Sequence, residues 1–123
     1  MDPITIHDKK FKISYPEAEI MKRVKAVADR INKDMKDKNP LFLAVLNGSF
    51  VFAADLMRLI TIPCEISFVK LASYQGTMST GKIKEVIGIN EDISGRTVII
   101  LEDIVESGLT MKRMIDSLGT RNP

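Results

Sequence analysis

Cysteine and histidine are almost missing from this chain of 123 residues, which has one of each, Cys64 and His7. A single cysteine cannot form an internal disulfide, so the disulfide-stapled secreted domains are excluded as a class. The same two residues offer too few soft ligands for a structural zinc site. Because Cys64 begins an apolar, strand-like run, we interpret it as a buried packing thiol in preference to a reactive one.

The chain also lacks a strong excess of either charge. Its 18 Lys and Arg residues are interspersed with 16 Asp and Glu residues, which gives a formal net charge of +2. Without a basic stripe on the sequence, we predict no nucleic-acid partner. No apolar segment approaches the length of a membrane span, and the first six residues lack the pattern of a signal peptide. We therefore expect a cytoplasmic protein with no membrane partner.

The chain does contain enough apolar material for one core, since 45% of its residues are hydrophobic and 28% are charged. This composition predicts a single globular domain over residues 1–123. Strand-like and helix-like segments alternate, which predicts an α/β fold with a mainly parallel sheet flanked by helices. The predicted strands are 41–46, 64–71, 86–89 and 97–101, and the predicted helices are 16–35, 50–58 and 111–118.

The first helix has the clearest pattern. Ser14 is placed to cap it, and its first turn holds Pro16 and Glu17. Apolar residues then recur at helical spacing, at Ile20, Val24, Val27, Ile31 and Met35. This stripe is predicted to cover one face of the sheet, with the intervening charges forming a solvated surface. Residues 4–11, before the helix, are predicted to form a peripheral ribbon.

The segment from Val98 to Thr110 carries the strongest functional pattern. Four apolar residues deliver the adjacent acids Glu102 and Asp103 to the end of a strand, which is where ligands bind in open α/β sheets. Two carboxylates there suit the hydroxyls of a ribose. A loop of small residues then opens a helix near Leu109, so its hydroxyls and backbone N–H groups can surround a phosphate. The predicted phosphate loop consists of Glu106, Ser107, Gly108, Leu109 and Thr110.

Two other segments have the character of binding loops. Asn47 and Gly48 lie between a predicted strand and a predicted helix, so their backbone donors can hold a second anionic group, although a plain strand-to-helix turn would look the same. The polar segment 72–84 is long and hydrophilic for a core connection. It predicts a mobile lid, with a disordered surface hairpin as the alternative.

In order and separation, these three segments resemble the hypoxanthine and hypoxanthine-guanine phosphoribosyltransferases of the type I phosphoribosyltransferase family. Residues 98–110 match the binding motif for phosphoribosyl diphosphate (PRPP), and residues 46–56 match the pyrophosphate loop. The resemblance implies a type I phosphoribosyltransferase-like fold with Mg²⁺ as the cofactor. The implied reaction, part of purine salvage, transfers 5-phosphoribosyl from PRPP to a 6-oxopurine and releases pyrophosphate. A homodimer or homotetramer is also implied.

The resemblance implies roles for the acidic residues. Glu102 and Asp103 would bind the ribose hydroxyls and Mg²⁺, directly or through the metal's water shell. Glu106 would be the catalytic base that accepts a proton from the purine ring nitrogen. The family usually has Asp at this position, so Glu106 is either a slower base or simply part of the phosphate loop, because its longer side chain changes the approach distance.

The other two loops also gain implied roles. Asn47 and Gly48 would bind pyrophosphate, and the bond between them would be a cis peptide. Because family members often have Lys or Arg in place of Asn47, diphosphate binding here would depend more on the backbone than on side-chain charge. Ser73 and Tyr74 match a Ser-Tyr pair that closes over the active site as a lid.

The same resemblance suggests that the chain is an incomplete core. Family members continue past the signature helix into a C-terminal hood that contacts the purine, whereas this chain stops at Pro123. Three hypotheses remain. The chain is an active transferase, a PRPP-sensing or RNA-binding regulator on the same fold, or a truncated enzyme that holds phosphate but binds purine poorly. The acid before Ser107 and the lid pair favour the enzyme. The choice among hypoxanthine, guanine and xanthine stays open.

Overall fold

The computed structural model describes residues 3–73, 83–87, 92–104 and 108–123. A two-stranded ribbon comes first, formed by β1 (Ile4–Ile6) and β2 (Lys9–Phe11). The main sheet contains β3 (Leu41–Leu46), β4 (Glu65–Ser73), β5 (Ile83–Ile87) and β6 (Val98–Leu101). The described helices are α1 (Glu17–Asp34), α2 (Phe50–Met57) and α3 (Leu109–Gly119). The antiparallel ribbon, in which Ile4 lies opposite Phe11, confirms the predicted peripheral ribbon.

The main sheet has the strand order β5-β4-β3-β6. Strand β3 is parallel to both β4 and β6, and only β5 is antiparallel to its neighbour, so the predicted, mainly parallel sheet is confirmed. Parallel strands end at the same edge of a sheet. We call the edge after Leu46, Ser73 and Leu101 the carboxyl edge, and the edge before Leu41, Glu65 and Val98 the amino edge.

Strand β3 is the centre of the core because its side chains are buried on both faces of the sheet, as its continuous apolar run predicts. Phe42 and Ala44 pack with residues of α1 and α2 on one face. Leu41, Leu43 and Val45 pack on the other face with residues that include Ile93, Met114 and Leu118. Each fully buried Leu or Phe contributes about 1.5–3 kcal/mol. The two helical layers therefore hold the ends of β3 and β6 in fixed positions.

Helix α1 begins later than predicted. Its N-cap is Pro16, in an extended conformation with φ −63° and ψ 150°, and no side chain caps the helix. The carbonyl of Pro16 accepts the N–H groups of Glu19 and Ile20. The predicted cap by Ser14 is therefore wrong, because a capping hydroxyl has to come from the N-cap position to reach the first free N–H groups.

The apolar stripe of α1 is only partly buried. Val24 and Ala28 are buried and Ile31 is half-buried, whereas Ile20 and Val27 remain 48% and 43% exposed. The buried face is thus narrower than the sequence predicts, because small Ala28 lies where the helix meets the core. The predicted solvated face is confirmed by three exposed pairs at i,i+4 spacing, Arg23–Glu19, Lys25–Asp29 and Arg30–Asp34.

Strands β4 and β5 and helix α3 differ most in their bounds from the prediction, and the other predicted elements of the main domain differ by at most one residue at either end. Strand β4 extends from residue 65 to 73 rather than from 64 to 71, and β5 begins at Ile83 rather than Val86. Antiparallel pairing decides the start of β5, because Ser73 lies opposite Ile83 and Ala72 opposite Lys84. Helix α3 begins two residues before the predicted Met111, at Leu109, and Gly119 is its last residue. In the described ranges, no helix is both long and apolar enough to cross a membrane.

Candidate active site

The loops after β3 and β6 meet at the carboxyl edge. Ala44 lies opposite Leu101, so β6 ends beside the middle of β3 and delivers Glu102 and Asp103 to the loop that follows Leu46. A side-chain carbon placed on Gly48 would overlap the Asp103 carboxylate, with its Cγ at 2.8 Å and its Oδ1 at 3.0 Å. A side chain at position 48 would therefore have to displace the loop or the Asp103 carboxylate. The structure therefore brings together two of the predicted binding segments, the Asn47-Gly48 loop and the acid pair.

The two acids interact with each other. The backbone N–H of Asp103 donates to Glu102 Oε1 over 3.1 Å. Burial raises the pKa of the Glu102 carboxyl, and the hydrogen bond with the Asp103 side chain raises this pKa further. The pKa of Asp103 is lowered, first by the hydrogen bond from the Glu102 side chain and then by one from the backbone N–H of Ile104. The pKa values of the two neighbouring carboxyl groups are therefore shifted in opposite directions, that of Glu102 upward and that of Asp103 downward.

Helix α3 begins at the same end of β6. Gly108 is its N-cap and has φ +77°, a left-handed conformation that glycine adopts readily. Leu109 and Thr110 form the first helical residues, so the free N–H groups of this helix follow the left-handed glycine directly. The helix thus opens at Leu109, as the loop of small residues predicts, and not at Met111, the start predicted for the helical segment. Glu106 and Ser107, the other members of the predicted phosphate loop, lie outside the described residues.

The loop after β3 contains a cis peptide bond, but one residue earlier than predicted. It joins Leu46 to Asn47, whereas the prediction placed it between Asn47 and Gly48. Strand β3 pairs with β4 as far as Leu46, opposite Lys70, so the first peptide of the loop is the one before Asn47. The prediction assumed that the first peptide bond of the loop follows Asn47, which is one residue too late.

Ser49 also belongs to this loop, and no sequence pattern distinguished it from an ordinary loop serine. Its side chain is fully buried, and its hydroxyl donates to the Val45 carbonyl over 2.5 Å. A serine just before a helix predicts an ordinary N-cap. In the structure, no side-chain hydrogen bond caps α2.

The predicted lid pair is only half described. Ser73 is the last residue of β4, three residues beyond the Lys70 that lies opposite the end of β3. At about 3.3 Å per residue, β4 extends roughly 10 Å past the end of β3 on the same edge. Tyr74 and the rest of the predicted lid up to residue 82 lie outside the described residues. Ser73 is therefore placed at the carboxyl edge through its strand.

Within the described part of the site, Glu102 and Asp103 are the carboxylate donors available to a cation. No group of three or more His, Cys, Asp and Glu side chains in the described part of the chain is arranged to hold a metal ion. Two adjacent carboxylates suit a hard cation that takes its remaining ligands from phosphate oxygens and water, which is how Mg²⁺ commonly binds beside phosphorylated substrates.

Comparison with known proteins agrees with this geometry. Residues 15–123 match the phosphoribosyl transferase domain family. The hypoxanthine-guanine phosphoribosyltransferase of Streptococcus pyogenes is 41% identical over 111 residues, 89% of this chain and 62% of its own length. The hypoxanthine phosphoribosyltransferase of Buchnera aphidicola is 43% identical over 115 residues, 91% of this chain and 65% of its own length. The chain thus spans a little under two thirds of the length of these curated relatives.

A solved structure supports the same relationship. The hypoxanthine-guanine phosphoribosyltransferase of Bacillus anthracis, crystallised with HEPES in the active site, superimposes with a TM-score of 0.84 at 38% identity. The superposition covers 91% of this chain and 67% of that one. The type I phosphoribosyltransferase-like fold and the resemblance to hypoxanthine-guanine phosphoribosyltransferases, both predicted from the motifs, are confirmed. The chain belongs to the phosphoribosyltransferase family.

Proposed function

We propose that this chain transfers 5-phosphoribosyl from PRPP to a 6-oxopurine, hypoxanthine or guanine, and so forms a nucleoside monophosphate and pyrophosphate in purine salvage. The observation that carries the proposal is the contact at the carboxyl edge, where Gly48 lies against the Asp103 carboxylate. A loop suited to a diphosphate and an acid pair suited to a ribose are thereby held side by side, and PRPP contains both groups. The named activities of the relatives support the same reaction.

In the proposed reaction, the bond from ribose C1 to the diphosphate oxygen breaks and a bond from C1 to a purine nitrogen forms. Glu102 and Asp103 bind the ribose hydroxyls and thereby fix the position of C1. Backbone donors of the Asn47-Gly48 loop stabilise the negative charge that develops on the departing diphosphate. The loop from residue 106 to 110, with the N-terminus of α3, binds the 5-phosphate. Glu102, Asp103, Gly48, Ser107, Gly108 and Thr110 match the family motif, whereas Asn47 and Glu106 depart from its usual residues.

Mg²⁺ would be held by Glu102 and Asp103, directly or through water, together with oxygens of PRPP. The lowered pKa of Asp103 fits this role because it keeps one carboxylate ionised for the cation. When bound, the cation neutralises charge on the diphosphate and makes it a better leaving group.

Glu106 is proposed as the base that accepts the purine proton. A base has to approach within about 2.6–3.2 Å of the atom that it deprotonates, so the additional methylene relative to the family's usual Asp is expected to slow the reaction and not to abolish it. Asn47 brings no positive charge to the diphosphate. Its loop is therefore proposed to bind through backbone N–H groups.

The lid and the assembly are further parts of the proposal. Ser73 and Tyr74 would close over bound PRPP and exclude water from the site. A homodimer or homotetramer is supported by large apolar side chains that remain exposed at the start of α2, Phe50 at 62% and Val51 at 55%. Sedimentation velocity tests the assembly, and a monodisperse monomer would contradict it. The cytoplasmic location and the choice of base stay predictions.

The test is a coupled assay of nucleotide formation from PRPP, Mg²⁺ and hypoxanthine or guanine. The chain itself, Glu106→Gln and Glu106→Asp are compared, with Asp116→Asn as a control that removes an exposed acid from α3. We expect turnover by the chain, a loss of about 100-fold or more in Glu106→Gln, and at least the original rate in Glu106→Asp. If none of the proteins turns over while PRPP still binds, the PRPP-binding regulator or inactive alternative replaces the enzymatic proposal.

A further inference from the structure

The buried serine at the start of α2 makes two hydrogen bonds to a single backbone acceptor. Both the N–H and the hydroxyl of Ser49 donate to the Val45 carbonyl, over 3.3 and 2.5 Å. Ser49 is also fully buried, and it is the one polar residue of the described core with this degree of burial. Ser49 thus connects the start of α2 to the end of β3 through two hydrogen bonds.

A capping role does not explain this serine. Ser49 occupies the N-cap position of α2, where a hydroxyl ordinarily accepts a hydrogen bond from the second or third N–H of the helix. Here the residue has a helical conformation, with φ −84° and ψ −2°, and no side-chain cap bond is formed. Its hydroxyl acts as a donor toward the strand, so the hydrogen bond serves the loop between strand and helix.

The closed loop contains the residues that meet the acid pair. Residues 46–48 lie between Val45 and Ser49, and Gly48 contacts the Asp103 carboxylate so closely that a side-chain carbon has no space there. A shift of the loop by a few tenths of an ångström would therefore change the separation between the diphosphate donors and Asp103. Such small displacements cost binding and rate when two groups have to engage one substrate together.

We infer that Ser49 is a positioning residue, which sets the Asn47-Gly48 loop against Asp103 through its hydrogen bond to the Val45 carbonyl and thereby sets the affinity of the site for diphosphate. The inference rests on the proposed function, since it assigns the diphosphate to this loop. Ser49 itself is buried, so it acts through the backbone of the loop.

The test measures pyrophosphate binding by titration calorimetry with Mg²⁺ in excess, together with the KM for PRPP and the melting temperature. Ser49→Ala removes the hydroxyl, and Ser49→Cys keeps a weak donor in its place. The matched control is Asn32→Ala, because Asn32 also bonds to backbone groups through its side chain, to Leu59 O over 3.0 Å and from Thr61 N over 2.9 Å, at the amino edge.

We expect Ser49→Ala to raise the Kd for pyrophosphate and the KM for PRPP roughly fivefold to tenfold, the effect of one lost hydrogen bond. Ser49→Cys should lie between Ser49→Ala and the unchanged chain. Asn32→Ala should lower the melting temperature while leaving both constants within about twofold. Equal constants for Ser49→Ala and Asn32→Ala would overturn the inference and leave the proposed function standing. A chain that fails to bind pyrophosphate before any substitution would overturn the proposed function, and the inference with it.

Discussion

Arg96 at the amino edge and Glu102 at the carboxyl edge are both half-buried charged residues, but their neighbours differ. The guanidinium of Arg96 donates to the Asn39 carbonyl over 3.2 and 3.4 Å and to Glu65 Oε1 over 3.1 Å. Glu102 has a second acid, Asp103, as its neighbour, and both belong to the same short segment. The amino edge thus pairs opposite charges, whereas the carboxyl edge brings like charges together.

This difference indicates that the side chains at the amino edge stabilise the fold, whereas those at the carboxyl edge serve the proposed substrate site. At the amino edge, Arg96 connects the chain before β3 to the first residue of β4, and Asn32 connects α1 to the loop after α2. These bonds hold the layers together. At the carboxyl edge, a carboxylate lies against Gly48 and a second carboxyl has a raised pKa, an arrangement that a cation and a substrate with hydroxyl groups would stabilise. We therefore expect substitutions at the two edges to have different effects.

The largest effect is expected for Gly48→Ala. The new methyl group would overlap the Asp103 carboxylate, so either the loop or the acid has to move. We expect kcat/KM for PRPP to fall by about 100-fold or more, because a displacement near 1 Å has this effect on reacting groups. The control is Gly119→Ala, since beyond the chain neighbours and the backbone of its own helix no atom lies within 4 Å of the corresponding position there. Similar activity in both variants would show that the contact between Gly48 and Asp103 is unimportant.

A smaller effect is expected for Arg96→Met, which should lower the stability of the fold and leave the activity unchanged. The substitution removes the bonds to Asn39 and Glu65 from a side chain that is only 19% exposed. We expect a loss of about 1–2 kcal/mol in the free energy of unfolding, and a melting temperature lower by about 4–8 °C. The kcat should be unchanged at a temperature where the protein is folded. Arg30→Met, which breaks an exposed pair with Asp34, is the control and should have almost no effect.

The smallest effect is expected for the stability of Glu102→Gln, and it depends on pH. The pKa of Glu102 is higher in the folded chain than its ordinary value of 4.5, so the folded state binds more protons and its stability falls as pH rises above that value. A glutamine has no proton to lose. Relative to the original chain, Glu102→Gln should therefore gain up to about 3 °C in melting temperature between pH 4.5 and pH 7, while losing activity.

Differential scanning calorimetry at several pH values measures this gain. Asp103 acts in the opposite direction, because its lowered pKa contributes stability that is lost as pH falls. The glutamine amide can still donate to Asp103, so that contribution should persist in the variant. A melting-temperature difference that shrinks as pH rises would contradict the assignment of the raised pKa to Glu102.

Parts of the fold were predictable from sequence because their signals are local. The unbroken apolar run of β3 and the apolar residues before Glu102 identify β3 and its neighbour β6, whose ends place the acid pair. The start of β5 was missed because Ile83 is followed by charged Lys84 and Glu85, and only pairing with β4 makes this segment a strand. The exposed positions of Ile20 and Val27 also depend on tertiary packing, since helical spacing alone places them on the buried stripe.

In the candidate site too, some features were predictable from local sequence and others depend on tertiary contacts. Glu102, Asp103 and Gly48 were predicted because their residue types follow strand ends in a family motif. The contact between Gly48 and Asp103 joins residues far apart in sequence, so no local pattern could give it. The hydroxyl of Ser49 was missed because a serine before a helix predicts a cap, and its acceptor, the Val45 carbonyl, becomes available only where the chain turns back after β3.

The most direct test of the difference between the edges is a titration of the ¹⁵N-labelled chain with pyrophosphate in excess Mg²⁺, followed by amide chemical shifts. We expect the largest shifts at Gly48, Asp103 and Gly108, and shifts close to zero at Asn39, Glu65 and Arg96. Shifts concentrated at the amino edge, or no shifts at saturating pyrophosphate, would contradict the proposal that the carboxyl edge is the substrate site.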